Sequence, residues 1–162
     1  MDIYTTIDTP LGELLLAGDG QALARVSFDL AARAGLRREP GAFAEAERQF
    51  AEYFAGERIA FDLPLASHGT PFQERVWEEV AALPYGTTTT YGALAARVGA
   101  PRDRIRAVGA AVGANPLLVV RPCHRVVGAD GSLTGYAGGV ERKHELLALE
   151  GVRQPRLWSV LS

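Results

Sequence analysis

Cysteine is almost absent from this sequence: Cys123 is the single one among 162 residues. One thiol cannot close an intramolecular disulfide, nor supply the several thiolates of a structural zinc site. Histidine is scarce too. Neither His68 nor His144 has metal-ligand spacing to another His or Cys, so neither a metal nor another cofactor is expected. No apolar run approaches the ~20 residues of a membrane span. The N-terminal stretch "MDIYTTIDTP" has no basic start and no apolar core, so no signal peptide is expected. A formal net charge of −2 does not advertise affinity for nucleic acid. Internal repeats and low-complexity tracts are missing. These absences point to a metal-free cytoplasmic protein of one ordinary domain or two small ones.

The charge that is present is concentrated. Between residues 101 and 127, five arginines (Arg102, Arg104, Arg106, Arg121 and Arg125) accompany one acid, Asp103. A polyanion would dock there. The N-terminal third reads as sheet. "DIYTTI", "ELLLA" and "ALARVSF" are rich in apolar and β-branched residues, and "DTPLG" and "GDGQ" separate them as turns. "AARAGLRREPG" reads as a loop or frayed helix. "AFAEAERQFAEYFAG" follows with Phe43, Ala46, Phe50 and Phe54 on one helical stripe and Gly56 as its stop. "IAFDL" alternates like a short strand, and "PLASHGT" reads as a linker. Domains are placed at 1–66 and 67–162.

The second part begins with a helix signature. Thr70 can cap, Pro71 suits the first helical position, and Gln73 completes a capping box. Phe72, Val76, Val80 and Leu83 recur at helical spacing, with Trp77 beside them as a packing residue, like Trp158 later. "LPYGTTTT" breaks the helix, Thr90 caps a short second helix, and Gly99 ends it. A third helix is expected from Pro101 to Gly113, giving a helix-turn-helix. At 100° per residue its Ile105, Val108 and Val112 face inward, while Arg102, Arg106, Gly109, Ala110 and Gly113 face outward. A face of two arginines and very small residues can approach a nucleic-acid backbone or minor groove. Charge alone favours the plainer reading, a solvated face whose small residues pack on a neighbouring helix. "LLVV" reads as a strand leading into "RPCHRVV", and a last helix spans about Glu141 to Glu150.

The residues alone leave Cys123 open between a small buried hydrophobe and a reactive thiol. Nearby arginines favour a thiolate, and His124 adjoins it. Adjacent side chains on a strand point to opposite faces, however. The two can cooperate only if the chain leaves regular structure there, or if a water bridges them. His124 would also need a carboxylate to orient it, and Glu150 is a candidate.

"NPLLVVRPCHRVVGADGSLTGYAGGVERKHELLALEG" resembles the active-site segment of the O6-alkylguanine-DNA alkyltransferases. The likeness continues upstream through "TPFQERVWEEVAALPYGTTTTYGALAARVGAP" and "RAVGAAVGANP", and so covers about residues 70 to 151. The resemblance implies an α+β fold, with a small ribonuclease H-like sheet part and a mostly helical part carrying the helix-turn-helix. It implies a suicide enzyme acting on double-stranded DNA as a monomer, moving an alkyl group from O6-alkylguanine to a cysteine. Cys123 resembles the acceptor, His124 a water-mediated base, Glu150 its orienting carboxylate and Asn115 the residue that pins the turn. Tyr91 would help rotate the target nucleotide. Arg106 would fill the space left in the base stack, with Arg102, Gly109, Ala110 and Gly113 on the same face. Tyr136 would wall the base pocket, and backbone groups of Cys123, Val126 and Ala137 would read the base edges. An acceptor specialised for other adducts, or a lesion sensor that transfers nothing, is the alternative. Three departures stand out: Arg121 where relatives carry an aliphatic residue, a longer and bulkier third-helix start in "PRDRIRAV", and Ala137 where some relatives carry serine.

Overall fold

The computed structural model describes residues 2–100, 102–133 and 135–152. Trp158, expected to pack, and Pro101, expected to open the third helix, lie outside these residues. The chain divides into two compact units, Met1–His68 with Pro116–Val120, and Gly69–Asn115 with Arg121 onward.

In the first unit the expected meander forms from β1 (Ile3–Thr9), β2 (Gly12–Gly18) and β3 (Leu23–Ser27). Both pairings are antiparallel, with Thr6 opposite Leu15 and Leu16 opposite Val26. Leu14, Leu15 and Leu16 of the central β2 are all fully buried, so this strand is covered on both faces. "AARAGLRREPG" is neither plain loop nor frayed helix. It makes a 3₁₀ turn over Leu30–Arg33, capped by Asp29, and then β4 (Arg37–Arg38), parallel to β1 at the sheet edge. Helix α1 (Ala44–Phe54) buries Ala46, Phe50 and Tyr53.

"IAFDL" is not a strand. The Gln49 side chain takes both backbone groups of Asp62, donating to its carbonyl at 2.9 Å and accepting from its N–H at 2.8 Å. Phe61 packs on Phe50 and Tyr53, with ring centroids 4.8 and 5.3 Å apart. Ladder pairing in this stretch begins only at Leu65, bridged to Leu23. "LLVV" is likewise not a strand running into Cys123. Leu117 makes a single parallel bridge to Val26, and Val119 then turns the chain at φ 72°.

The second unit opens on α2 (Pro71–Ala81) with the full capping box: Gln73 N–H donates to Thr70 Oγ1, and Thr70 N–H donates to Gln73 Oε1. Val76, Trp77 and Val80 are its buried face. A two-residue strand, β5 (Thr89–Thr90), leads into α3 (Tyr91–Arg97), where Thr90 Oγ1 accepts from Ala93 N–H as the cap. The third helix starts later than expected. Arg102–Arg104 form a 3₁₀ turn, and α4 runs Ile105–Gly113. Val108, Ala111 and Val112 face inward, while Arg106, Ala110 and Gly113 are exposed and Gly109 is half-buried. Ile105, expected inward, is 37% exposed. Its Cδ1 lies over Gly92, which has no side chain to cover it. After α4 the chain makes a 3₁₀ turn over Cys123–Arg125 and then β6 (Val126–Val127), parallel to β5. Helix α5 (Val140–Leu149) ends on Glu150, with Gly151 at φ 83° releasing the chain.

Candidate active site

The chain departs from extended structure at the cysteine itself. Cys123, His124 and Arg125 form one 3₁₀ turn, closed by Arg125 N–H donating to the Pro122 carbonyl at 2.9 Å. Successive side chains on such a turn are about 120° apart rather than opposed. Cys123 and His124 therefore need not point to opposite faces, and both are buried.

Two residues hold the turn. Asn115 follows the end of α4, its own N–H returning to the Val112 carbonyl. Its Nδ2 donates to the Arg121 carbonyl at 3.0 Å and lies 3.3 Å from Cys123 Sγ. Glu150, buried at the α5 terminus, receives the other side. Its Oε2 meets His124 Nε2 at 2.8 Å. Arg125 grips the same carboxylate with Nε to Oε1 at 2.7 Å and Nη2 to Oε2 at 2.9 Å, while its Nη1 donates to the Leu83 carbonyl at 2.6 Å. A carboxylate gripped by a two-pronged guanidinium is fixed in plane, which fixes the imidazole it holds. The remaining ring nitrogen, His124 Nδ1, is buried and has no hydrogen-bond partner among the described residues.

Burial dominates the electrostatics. It pushes the Cys123 thiol up to about 11, although the Asn115 hydrogen bond and the Lys143 charge pull it back down. It holds His124 below its usual value, with Glu150 opposing and Arg125 and Lys143 reinforcing. Lys143 falls to about 8, chiefly because its ammonium is desolvated. That lysine donates to the Gly135 carbonyl at 3.2 Å and lies 5.9 Å from the centre of the Tyr91 ring. The loop it holds carries Tyr136, whose ring meets His124 edge-on at 6.5 Å.

The structure thus brings four expected site residues to one turn as two contacting pairs, Asn115 with Cys123 and His124 with Glu150. Tyr136 stands beside His124, and Val126 is buried in β6. Tyr91 is half-buried, its ring about 4 Å from where a Cβ on Gly109 would be. Ala137 is exposed. Arg106, Ala110 and Gly113 occupy the open face of α4, and the Arg102 side chain lies outside the described residues. Lys143 was missed. It sits on one α5 stripe with Leu146, Leu147 and Glu150, and a charged residue on an apolar stripe was the available signal. Trp77 packs as expected, and also donates Nε1–H to the Ala111 carbonyl of α4 at 2.8 Å. The Arg121 guanidinium lies 4.8 Å above the Trp77 ring.

Comparison with known proteins agrees with this geometry. Residues 3–67 match the ribonuclease-like domain of 6-O-methylguanine DNA methyltransferase, and residues 71–152 match its DNA-binding domain. The methylated-DNA–protein-cysteine methyltransferase of Mycobacterium tuberculosis is 47% identical over 157 residues, covering 94% of each chain. The constitutive enzyme of Bacillus subtilis is 43% identical over 161 residues, covering 94% of this chain and 97% of its own. The crystal structure of the M. tuberculosis O6-methylguanine methyltransferase superposes over 100% of both chains with a TM-score of 0.88 and 45% identity. A second structure of that protein, in complex with DNA, superposes over 91% of both chains with a TM-score of 0.86 and 49% identity. A cysteine held in a buried Asn–Cys–His–Glu arrangement, a helix-turn-helix beside it and matches to both domains agree: the chain belongs to the 6-O-methylguanine DNA methyltransferase family.

Proposed function

We propose that Cys123 accepts the alkyl group of O6-alkylguanine in double-stranded DNA, once per protein molecule, and so restores guanine directly. The observation that carries this reading is the set of contacts around the thiol. Asn115 Nδ2 lies 3.3 Å from Sγ, while His124, held at 2.8 Å by Glu150, has no hydrogen-bond partner at Nδ1 among the described residues.

The reacting oxygen sits on a base edge inside a duplex, so a protein nucleophile reaches it with the nucleotide turned out of the stack. Unstacking costs a few kcal/mol, which a side chain filling the gap offsets in part. Arg106 suits that task, on an α4 face otherwise made of Gly109, Ala110 and Gly113. Tyr91 assists rotation, Arg102 adds charge along the strand, and Tyr136 walls the base. Backbone groups of Cys123, Val126 and Ala137 read its edges. In the chemical step the thiol proton passes through a water to His124 Nδ1. Sulfur forms a bond to the alkyl carbon, the carbon–O6 bond breaks, and its electron pair leaves with the guanine, which takes up a proton. The product is a thioether. Thiolate, not thiol, is the nucleophile, so proton removal from a group at about 11 is where His124 and Glu150 contribute.

The setting proposed is a cytoplasmic monomer with domains 1–66 and 67–162. Among the described residues no helix is long and apolar enough to cross a membrane. Mass spectrometry after mixing with a duplex containing O6-methylguanine tests the reading. A gain of one methylene on the peptide holding Cys123, absent in Cys123→Ser, is expected. Binding without any mass gain would leave a lesion sensor instead, and gain only from other adducts would leave a specialised acceptor.

A further inference from the structure

Arg125 touches neither thiol nor base pocket in the contacts above, yet it shares a carboxylate with the residue that must take the proton. Glu150 Oε2 receives Arg125 Nη2 at 2.9 Å and His124 Nε2 at 2.8 Å, and Oε1 receives Arg125 Nε at 2.7 Å. All three side chains are essentially removed from solvent, Arg125 being the least covered at 7%. A carboxylate buried with an imidazole alone would draw a proton onto it, because an unmatched buried charge is far costlier than an ion pair. An imidazolium cannot act as a base. Here Glu150 is already matched, by the two-pronged Arg125 guanidinium.

We infer that Arg125 is a positioning residue that sets the charge and tautomer of His124. By neutralising Glu150 it leaves the imidazole neutral, with its proton on Nε2 facing Glu150 and its lone pair on Nδ1. The tautomer follows from the contact itself: an ionised carboxylate only accepts, so the 2.8 Å approach of Nε2 to Glu150 Oε2 places the proton on Nε2. The groups around the ring agree. From α5 come Glu150 and Lys143, from the 3₁₀ turn Cys123 and Arg125, and from the preceding loop the Tyr136 ring. Of these only Glu150 favours a second proton on the imidazole, while Arg125 and Lys143 oppose it. Once His124 has taken the thiol proton, the same two cations favour passing it on. The two-pronged geometry adds a further constraint. Nη1 is anchored on the Leu83 carbonyl, so the guanidinium plane, and with it the carboxylate plane, cannot turn to follow the imidazole.

This inference rests on the reading of His124 as the base for Cys123, and the two fail separately. Selective ¹⁵N-histidine NMR of the wild-type protein reads the ring without any reaction. A neutral His124 protonated on Nε2 at pH 7 is expected, and an imidazolium at that pH overturns the inference. The second arm is the pH profile of single-turnover methyl transfer. In Arg125→Met the acid limb should move to higher pH, with transfer at pH 6 lowered ~tenfold or more and transfer at pH 9 within about threefold of wild type. Arg125→Lys, which keeps the charge and loses the fork, should hold the limb in place. A uniform loss at every pH in Arg125→Met, with the His124 resonances unmoved, makes the residue merely structural and overturns the inference. If Arg125→Met does not fold, Arg125→Met/Glu150→Gln removes both charges together. Its limb should return to the wild-type position at a lower plateau, and a limb still displaced overturns the inference. Absence of methyl transfer by the wild type, or its presence in Cys123→Ser, would instead defeat the reading of the thiol, whatever His124 does.

Discussion

Asn115 ties the backbone and the side chain of the active-site turn together: one Nδ2 group donates to the Arg121 carbonyl at 3.0 Å and approaches Cys123 Sγ to 3.3 Å. The carbonyl has a second donor, Cys123 N–H at 2.7 Å, so it is not orphaned when Asn115 is removed. Asn115→Ala should therefore destabilise the fold by only about 1–2 kcal/mol, the worth of a buried hydrogen bond. Its effect on chemistry should be larger. A hydrogen bond to a charged sulfur is worth about 1.5–3 kcal/mol, which predicts transfer slowed ~10- to 100-fold. Single-turnover kinetics beside a urea melt separates the two effects. A wild-type rate in this variant would remove Asn115 from the activation of the thiol.

Sequence made the skeleton of this arrangement legible but not its wiring. The meander, the Thr70 capping box and the α5 stop at Gly151 follow from local rules of pattern, capping and turn chemistry. "IAFDL" and "LLVV" misread because alternation and apolar runs say nothing about which backbone partners exist. In the first, Gln49 supplies them from a helix thirteen residues earlier, and in the second a left-handed Val119 ends the pairing. At the site, Cys123 and His124 are visible as neighbours, and their cooperation depends on a 3₁₀ turn that no periodicity announces. Lys143 shows in the sequence only as a charge on the apolar stripe of α5, and the fork of Arg125 on Glu150 is a long-range contact invisible until the chain is folded.

Arg121 stands directly before Pro122 and Cys123, and its surroundings say what it does there. Its guanidinium stacks 4.8 Å from the Trp77 ring centre, and Nη1 is buried with no hydrogen-bond partner among the described residues. Stacking is worth about 0.5–2 kcal/mol and an unsatisfied buried donor costs about 1–3 kcal/mol. The two nearly cancel. Arg121→Ile should therefore change stability by less than about 1 kcal/mol, whereas Trp77→Phe, which weakens the stack and loses the bond to Ala111, should cost about 1–3 kcal/mol. Urea denaturation of both variants checks this. A loss from Arg121→Ile as large as that from Trp77→Phe would show that the arginine carries the turn.

Cys123 and Lys143 impose opposite pH dependences on folding. Lys143 has a native pKa of about 8 against an ordinary 10.5, so between those values the unfolded chain holds a proton the native one has lost. Stability then rises with pH across that window, by about 3 kcal/mol. Cys123 has a native value of about 11 against an ordinary 9.0, so the unfolded chain loses its proton first. Stability falls from pH 9 to 11, by about 3 kcal/mol. Their sum should leave the wild type nearly level from pH 9 to 10.5. Cys123→Ala should expose the lysine, gaining ~2 kcal/mol or more over the wild type between pH 7 and 10.5. A flat profile in Cys123→Ala between pH 8 and 10.5 would mean that the lysine has no lowered value in the folded state, and equal slopes in the two proteins would mean that the thiol has no raised one. On the acid side His124, held below its usual value, should weaken the fold as pH drops below about 6.5, where only the unfolded chain takes up the proton.

Arg106 stands exposed on α4, with no part in the buried network, and so separates docking from chemistry. Arg106→Ala should leave thermal stability within about 0.5 kcal/mol of wild type, as for an exposed surface change. Without the side chain that fills the base stack, the cost of turning out the nucleotide is uncompensated by about 1–3 kcal/mol, which slows transfer from duplex DNA ~10- to 100-fold. The free base O6-benzylguanine has no stack to leave, so its transfer should fall far less. The salt dependence of duplex binding should also weaken, by about one counterion if Arg106 neutralises a phosphate and by less if it sits in the stack. Parallel titrations with duplex and free base, at two salt concentrations, read both quantities. Equal losses on duplex and free base would place Arg106 in the pocket rather than at the DNA.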